Sequence, residues 1–255
     1  LRDPLERLPA GELRMSGSET DGAVLQSAEC LGDEFARQRL KARARQARRL
    51  AARHAESGPL RRLRLRAAAI ELCCDVSDHA SVQQAKSQLV QRGVQVSILV
   101  NNAGNQNRKA LVEMTPDEWQ QLMNVHVNGA FNCTQTFLPD MVSHGFGRIV
   151  MMSSVSGQAT MPLIAAYSTA KAATASMARS IAVEYGPHGI TANAIAPGFV
   201  KTDFTVGLQQ REGFDTYLQQ SVPAGRWALP EDVAPVVLFL VSPAGGFVNG
   251  QVIAI

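Results

Sequence analysis

Residues 148–171 read RIVMMSSVSGQATMPLIAAYSTAK, and this stretch predicts both the fold and the chemistry of the chain. The apolar run from Ile149 to Met152 is typical of a strand buried on both faces of a parallel sheet. Ser154 then follows at the carboxyl end of that strand, the edge where ligands of open α/β sheets bind. The small residues after Pro162 favour a helix. Tyr167 and Lys171, four residues apart, are therefore expected on one helical face.

These three side chains are suited to proton transfer. A tyrosine has an ordinary pKa of about 10, and a nearby ammonium such as that of Lys171 is expected to lower it. A shift of roughly three units corresponds to about 4 kcal/mol. The Ser154 hydroxyl would hold a substrate oxygen beside the Tyr167 phenol, for proton donation to a ketone or proton removal from an alcohol. Tyr167 and Lys171 alone are equally typical of an exposed helix.

Two further motifs make the pattern more specific. NNAG stands at 101–104 and PGFVKT at 197–202. With the serine, tyrosine and lysine between them, they resemble the short-chain dehydrogenase/reductase family over about residues 68–255. The resemblance implies a single α/β domain with a doubly wound, Rossmann-like parallel sheet. It also implies NAD or NADP as cofactor and the interconversion of a secondary alcohol and a ketone.

The resemblance assigns cofactor contacts residue by residue. Asp75 follows a strand expected at 69–74 and would lie beside the adenine ring. Alternatively, Asp75 or Ser77 caps the helix that begins near His79. The NNAG stretch allows close approach of backbone to cofactor, although a plain turn is the alternative. The implied cofactor-binding residues are Asp75, Val76, Asn102, Ala103, Gly104, Tyr167, Lys171, Pro197, Gly198, Val200 and Thr202.

His126 departs from the family pattern at a catalytic position. Counting back from Phe131, the family usually has an asparagine there that holds a proton-relay water. A histidine can bind such a water, and its pKa suits proton relay. Alternatively, His126 is a helix residue without a catalytic role.

Residues 1–67 form an atypical basic segment. Twelve of the 25 lysine and arginine residues lie between Arg37 and Arg66. No DNA-binding motif accompanies them, so a solvated basic helix is expected rather than nucleic-acid binding. The family's Thr-Gly-x-x-x-Gly-x-Gly turn, which binds the pyrophosphate at a helix N-terminus, is missing from this segment. A catalytically impaired, family-like protein that acts as a binding partner is therefore an alternative to an enzyme.

The substrate class is suggested by three stretches, NNAGNQNR at 101–108, VPAGRW at 222–227 and FVNG at 247–250. They are most similar to family members that act on sugar acids such as gluconate and 5-keto-gluconate. Arg108 would pair with the substrate carboxylate, although a solvated arginine is the alternative. The polar segment from Asp203 to Gln220 resembles the family's mobile substrate lid. Reductases of 3-oxoacyl thioesters share most of these motifs and are the alternative class.

Length and composition exclude few functions, but they indicate the class of protein and its cellular location. A length of 255 residues with 45% hydrophobic content fits one globular α/β domain. No apolar run is long enough to cross a membrane, and acidic residues in the first thirty argue against a secretory or mitochondrial leader. The four cysteines have no metal-binding spacing, so no metal is expected. A cytoplasmic homo-oligomer, tetramer or dimer, is expected from the family resemblance.

Overall fold

The computed structural model describes residues 70–255, and its centre is a sheet of four parallel strands. The strands pair in chain order, each with the next. Their bounds are β1 Ile98–Asn101, β2 Gly147–Met152, β3 Ile190–Ala196 and β4 Val252–Ala254. The buried strand predicted around Ile149 is β2. It lies between β1 and β3, which explains its unbroken apolar run.

Helices alternate with these strands. Their bounds are α1 His79–Gln91, α2 Pro116–Met123, α3 Gly129–His144, α4 Ala165–Tyr185, α5 Val206–Gln209, α6 Phe214–Ser221 and α7 Pro230–Val241. A capping box starts α2, because the Glu118 amide donates to the Thr115 hydroxyl and the Thr115 amide donates to the Glu118 carboxylate. A π-helical turn, Asn124–Asn128, connects α2 to α3.

The sheet is covered on both faces, which confirms the doubly wound arrangement. Successive strand residues point to opposite faces, so Leu99 and Ile149 pack in one cluster and Val150 in another. The first cluster includes side chains of α1, α3 and α4, and the second includes side chains of α7. Both clusters are made of buried apolar residues, so each face of the sheet has its own core.

The start of the described chain, before α1, differs from the predicted strand and from the predicted helix cap. The strand expected at 69–74 is absent from residues 70–74, because no described segment pairs with them. Asp78, and neither Asp75 nor Ser77, caps α1 by accepting a hydrogen bond from the Ala80 amide at 3.0 Å. Asp75 instead accepts from the amide and hydroxyl of Ser77 at 2.9 and 2.7 Å. The predictions for residues 1–67 lie outside the described residues.

The expected substrate lid consists of short helices and a cluster of rings. Phe199 lies between the lid helix α6 and the segment before α7, with ring centroids 5.2 Å from Phe214 and 6.1 Å from Trp227. Trp227 also donates from its indole to Asp215 at 3.1 Å. These contacts place the lid against the carboxyl end of β3. Within residues 70–255, no helix is both long and apolar enough to span a bilayer.

Candidate active site

Ser154 is held where β2 ends. The preceding Ser153 donates its hydroxyl to the Lys171 carbonyl at 2.8 Å, and the Val155 amide donates to the Pro197 carbonyl at 3.2 Å. Ser154 is therefore fixed between α4 and the end of β3. Gly157 permits this approach, since a Cβ there would lie 3.0 Å from the Ala172 backbone nitrogen.

Tyr167 and Lys171 lie in the first two turns of α4, as predicted. Leu122 on α2 packs with Ala166 and Ala170, and this cluster also contacts Tyr167. The packing of α2 on α4 therefore sets the position of the phenol. Lys171 is only 4% exposed, and its ammonium lies 5.5 Å from the centroid of the Tyr167 ring.

Lys171 is directed at the backbone rather than at the phenol oxygen. Its Nζ donates to the Met152 carbonyl at 2.7 Å, at the carboxyl end of β2. Burial of the ammonium lowers the pKa of Lys171 to about 7, because desolvation penalises the charged form. The site therefore contains a lysine that loses its proton near neutral pH.

The expected lowering of the Tyr167 pKa is wrong for this arrangement. Burial raises the pKa of the phenol, and a hydrogen-bonding interaction with Ser154 lowers it by a smaller amount. The ammonium does not offset the burial, since it lies over the ring and its own pKa is lowered. Tyr167 is thus a neutral phenol at physiological pH, close to the Ser154 hydroxyl.

His126 lies beside this group, in the π-helical turn. It is 3% exposed, and its Nε2 lies 2.8 Å from the carbonyl oxygen of Asn105. Its ring meets the Tyr167 ring edge-on, with centroids 5.5 Å apart and an interplanar angle of 86°. Burial first, and the Lys171 charge second, lower the pKa of His126 to about 4. The imidazole is therefore neutral at neutral pH.

A small cavity opens beside His126 and Lys171 at the carboxyl ends of β1 and β2. Val76, Ala103 and Met152 line it together with these two residues. Two of the predicted cofactor residues, Val76 and Ala103, therefore meet the predicted catalytic residues here. Small side chains after β1 leave the backbone accessible, so these residues fit the close approach of a dinucleotide.

The other predicted cofactor residues lie in the segments that follow or precede the strands of the sheet. Gly198 donates its amide to the Ile255 carbonyl at 2.9 Å, and Val200 forms an isolated bridge with Ala228. The Thr202 amide donates to the Thr205 hydroxyl at 3.1 Å. Asn102 and Pro197 are half-buried, Gly104 is exposed, and Asp75 is exposed at the start of the described chain.

Arg108 is exposed in the loop after β1. Partial burial lowers the pKa of its guanidinium, and the charge of Arg211 lowers it further. Arg211 follows α5 in the lid, so two cations face the same region. No carboxylate among the described residues forms a salt bridge with Arg108.

Sequence reasoning missed three participants. Phe204 of the lid lies 6.0 Å from the Tyr167 ring, Asn105 holds His126, and Met152 accepts from Lys171 through its carbonyl. The aromatic at 204, two residues after the end of PGFVKT, was a usable signal. Backbone carbonyls carry no sequence signal. Residues 70–255 include no cluster of three or more side chains that would hold a metal ion, and none was predicted.

Comparison with known proteins identifies the family of the chain. A family model described as enoyl-(acyl carrier protein) reductase matches residues 32–255. The chain belongs to the short-chain dehydrogenase/reductase family, whose members are NAD(P)-dependent oxidoreductases. The match begins before residue 68, so the domain boundary expected there stays a prediction.

Two groups of relatives are similar to the chain to nearly the same degree. Gluconate 5-dehydrogenase of Gluconobacter oxydans is 35% identical over 181 residues, which are 71% of each protein. A 3-oxoacyl-(acyl-carrier-protein) reductase of Thermotoga maritima is 37% identical over 181 residues, 71% of this chain and 73% of the relative. The crystal structure of a gluconate 5-dehydrogenase from Burkholderia cenocepacia, in complex with NADP and tartrate, is 35% identical with a TM-score of 0.72. That likeness covers 74% of both chains.

Proposed function

We propose that the chain interconverts a secondary alcohol and a ketone with NAD or NADP, using Ser154, Tyr167 and Lys171. One observation carries this proposal. The three side chains converge at the carboxyl edge of a parallel sheet, where Tyr167 interacts with Ser154 and the centroid of its ring lies 5.5 Å from the Lys171 ammonium. A half-buried phenol beside a hydroxyl and an ammonium is an arrangement for moving one proton to or from an oxygen.

In the reducing direction, the Ser154 hydroxyl donates a hydrogen bond to the carbonyl oxygen of the substrate. Tyr167 donates its proton to the same oxygen as charge develops there, which a neutral phenol is able to do. Lys171 then stabilises the phenolate and supplies the replacement proton. When bound, NADH or NADPH supplies the hydride.

The cofactor is proposed to lie along the carboxyl edge of the sheet. Lys171, Ala103 and Gly104 would hold its nicotinamide end, with Asn102, Val200 and Thr202 nearby. Asp75 and Val76 would hold the adenine end. His126 would hold a water next to Lys171, because both residues line the same cavity.

For substrate we propose a keto-sugar acid such as 5-keto-gluconate. The cations of Arg108 and Arg211 support a carboxylate ligand. A second candidate is a 3-oxoacyl thioester. The side chains of Leu163 and Phe204, 51% and 45% exposed, support an apolar substituent near Tyr167.

A homo-oligomer, tetramer or dimer, is part of the proposal. Large apolar side chains at and after α7 are exposed, namely Leu238, Phe239 and Phe247. Such a surface supports association with a second copy. The cytoplasmic location and the absence of nucleic-acid binding stay predictions from the sequence.

The experiment is to compare reduction rates of 5-keto-gluconate and an acetoacetyl thioester for the parent chain, Tyr167→Phe and Tyr185→Phe. Assays contain several millimolar NADPH or NADH. Tyr167→Phe is expected to lose at least about a hundredfold in kcat, roughly 2.7 kcal/mol of transition-state stabilisation. Tyr185→Phe, on the same helix but away from Ser154, is the control and should retain activity. A Tyr167→Phe variant with parental turnover contradicts the proposal.

A further inference from the structure

Leu163 has a backbone conformation that leucine rarely adopts. Its φ angle is +69°, and every other residue with positive φ within 70–255 is a glycine. In this left-handed region a side chain crowds the backbone, so glycine usually stands at such a position. Leu163 follows Pro162 in the turn that leads into α4. The chain thus keeps local strain directly before the helix that carries Tyr167 and Lys171.

Packing in the core does not explain this leucine. Its side chain is 51% exposed, and it belongs to none of the three apolar clusters found within residues 70–255. The next residue, Ile164, is buried, so the neighbour and not Leu163 anchors the turn in the interior. An exposed leucine alone is ordinary. The combination of strain with exposure points instead to a contact outside the chain.

Hydrogen bonds place Leu163 where three segments of the proposed site meet. Its carbonyl accepts from the Lys109 amide at 3.0 Å, in the loop after β1 that also carries Arg108. Two residues before Leu163, the sulfur of Met161 accepts from the Tyr217 hydroxyl of the lid helix α6 at 3.8 Å. The proposed proton donor follows on α4. Leu163 therefore lies at the border of the site, between the lid and the loop after β1.

The strained turn is held by its surroundings. The Lys109 ammonium forms a salt bridge with Glu118 at 3.0 Å, and Glu118 completes the capping box of α2. Because α2 packs on α4, the loop after β1, the turn at Leu163 and helix α4 form one connected set. Leu163 is thus presented from a fixed backbone, which is a condition for discriminating between substrates by shape.

We infer that Leu163 is a specificity-determining residue that contacts an apolar arm extending from the substrate carbonyl. This role rests on the proposed function, in which the carbonyl lies at Ser154 and Tyr167. Phe204 of the lid, half exposed and with its ring centroid 6.0 Å from that of Tyr167, gives the arm a second apolar surface. A polyhydroxylated arm gains nothing from these contacts, because its hydroxyls would lose water without finding a partner. Leu163 therefore favours ketones with an apolar arm over keto-sugars.

The test compares kcat/KM for an acetoacetyl thioester, a 3-oxooctanoyl thioester and 5-keto-gluconate in the parent, Leu163→Gly and Leu163→Met, with several millimolar NADPH. Leu163→Met keeps an apolar side chain and is the matched control. We expect the longer acyl chain to raise kcat/KM about tenfold in the parent and in Leu163→Met, and less than about twofold in Leu163→Gly. An equal gain in all three proteins, or a loss in Leu163→Gly that is the same for all three substrates, overturns the inference.

A second measurement separates strain from packing. Thermal unfolding is compared for the parent, Leu163→Gly and Leu163→Ala. Glycine relieves the left-handed strain and should raise Tm by about 2–4 °C, whereas alanine keeps the strain and should leave Tm within about 2 °C of the parent. A decrease in Tm for both variants would show that the leucine serves the fold. A changed sedimentation coefficient of Leu163→Gly would show that it serves contacts between copies, and either outcome overturns the inference.

Saturation-transfer NMR decides the contact even without turnover. With NADPH and the 3-oxooctanoyl thioester, saturation of the protein methyl signals should reach the terminal methyl of the acyl chain in the parent. In Leu163→Gly this transfer should fall about twofold or more, because the apolar contact is removed. Equal transfer in both proteins overturns the inference. A parent chain that lacks turnover but shows this difference refutes the proposed function alone.

Discussion

Replacement of Lys171 by methionine should stabilise the fold while it abolishes activity. Lys171 is fully buried, and burial lowers its pKa from 10.5 to about 7. Methionine has a similar linear shape and no charge, so the substitution removes the desolvation of the ammonium without opening a large cavity. The buried lysine is expected to persist because catalysis requires it, and not because the fold does.

The expected change in the free energy of unfolding follows from the lowered pKa of Lys171. A decrease from 10.5 to about 7 corresponds to roughly 5 kcal/mol of folding free energy, at 1.36 kcal/mol per unit. The substitution also leaves the Met152 carbonyl without its 2.7 Å donor, which costs about 1–3 kcal/mol. At pH 7 and below, Lys171→Met should therefore raise the free energy of unfolding by about 2–4 kcal/mol.

The contribution of Lys171 to the free energy of unfolding depends on pH, and its direction follows from the lowered pKa. Between about pH 7 and pH 10.5 the unfolded chain holds a proton on this lysine and the folded chain does not. The free energy of unfolding of the parent therefore rises with pH in this window. The cost of burying the Lys171 ammonium has its full value below about pH 7 and disappears near pH 10.5. The difference in the free energy of unfolding between Lys171→Met and the parent should therefore shrink as the pH rises through this window.

Urea unfolding at intervals from pH 6 to pH 10 measures this difference. Lys86→Met is the matched control, because Lys86 pairs with Asp140 at 2.8 Å and donates to the Thr136 carbonyl at 3.0 Å. That variant should be no more stable than the parent at any pH in the series. A Lys171→Met variant that is less stable than the parent at pH 6 would refute the reasoning, since it would show that the lysine's contacts outweigh its desolvation.

Two predictions concern ligands. If Arg108 pairs with a substrate carboxylate, 5-keto-gluconate is reduced faster than an acetoacetyl thioester. Arg108→Ala then lowers kcat/KM for the sugar acid about tenfold or more and leaves kcat/KM for the thioester unchanged. A thioester preference that survives Arg108→Ala would instead favour the second substrate class. The missing glycine turn predicts that the chain binds NAD(P) with a Kd of about 1 mM or weaker and shows little or no activity, since two or three lost charge-assisted bonds are worth about 1.5–3 kcal/mol each. Calorimetric titration tests this value, and replacing residues 1–67 by the first strand and glycine turn of a family member should tighten binding; micromolar affinity of the unmodified chain would contradict it.

Local patterns predicted most of the described fold. The apolar run around Ile149 is a strand, and the small residues after Pro162 lead into a helix that carries Tyr167 and Lys171. These features were predictable because they depend on residues close together in the chain. The strand expected before Asp75 failed, because a strand exists only with a paired neighbour and none lies among the described residues.

For the candidate site, the sequence predicted that certain side chains would lie together, but it did not predict their electrostatics. The spacing of Tyr167 and Lys171 predicted that they would share a helical face, and they do. It did not predict that Lys171 would donate to the Met152 carbonyl or that burial would raise the pKa of Tyr167. A pKa depends on every atom around a group, including atoms distant in sequence.

The amino-acid sequence by itself indicated the family and the parallel sheet, and it predicts Ser154, Tyr167 and Lys171 as the chemically relevant side chains. Only the tertiary structure decided the contacts of His126, because they come from a loop twenty-one residues earlier and from helix α4, which follows α3 and β2 in the chain. Likewise, only packing shows that Gly104 is a glycine because an imidazole fills the adjoining space. Spacing within one element is encoded locally, whereas burial and long-range contacts exist only after the elements have packed.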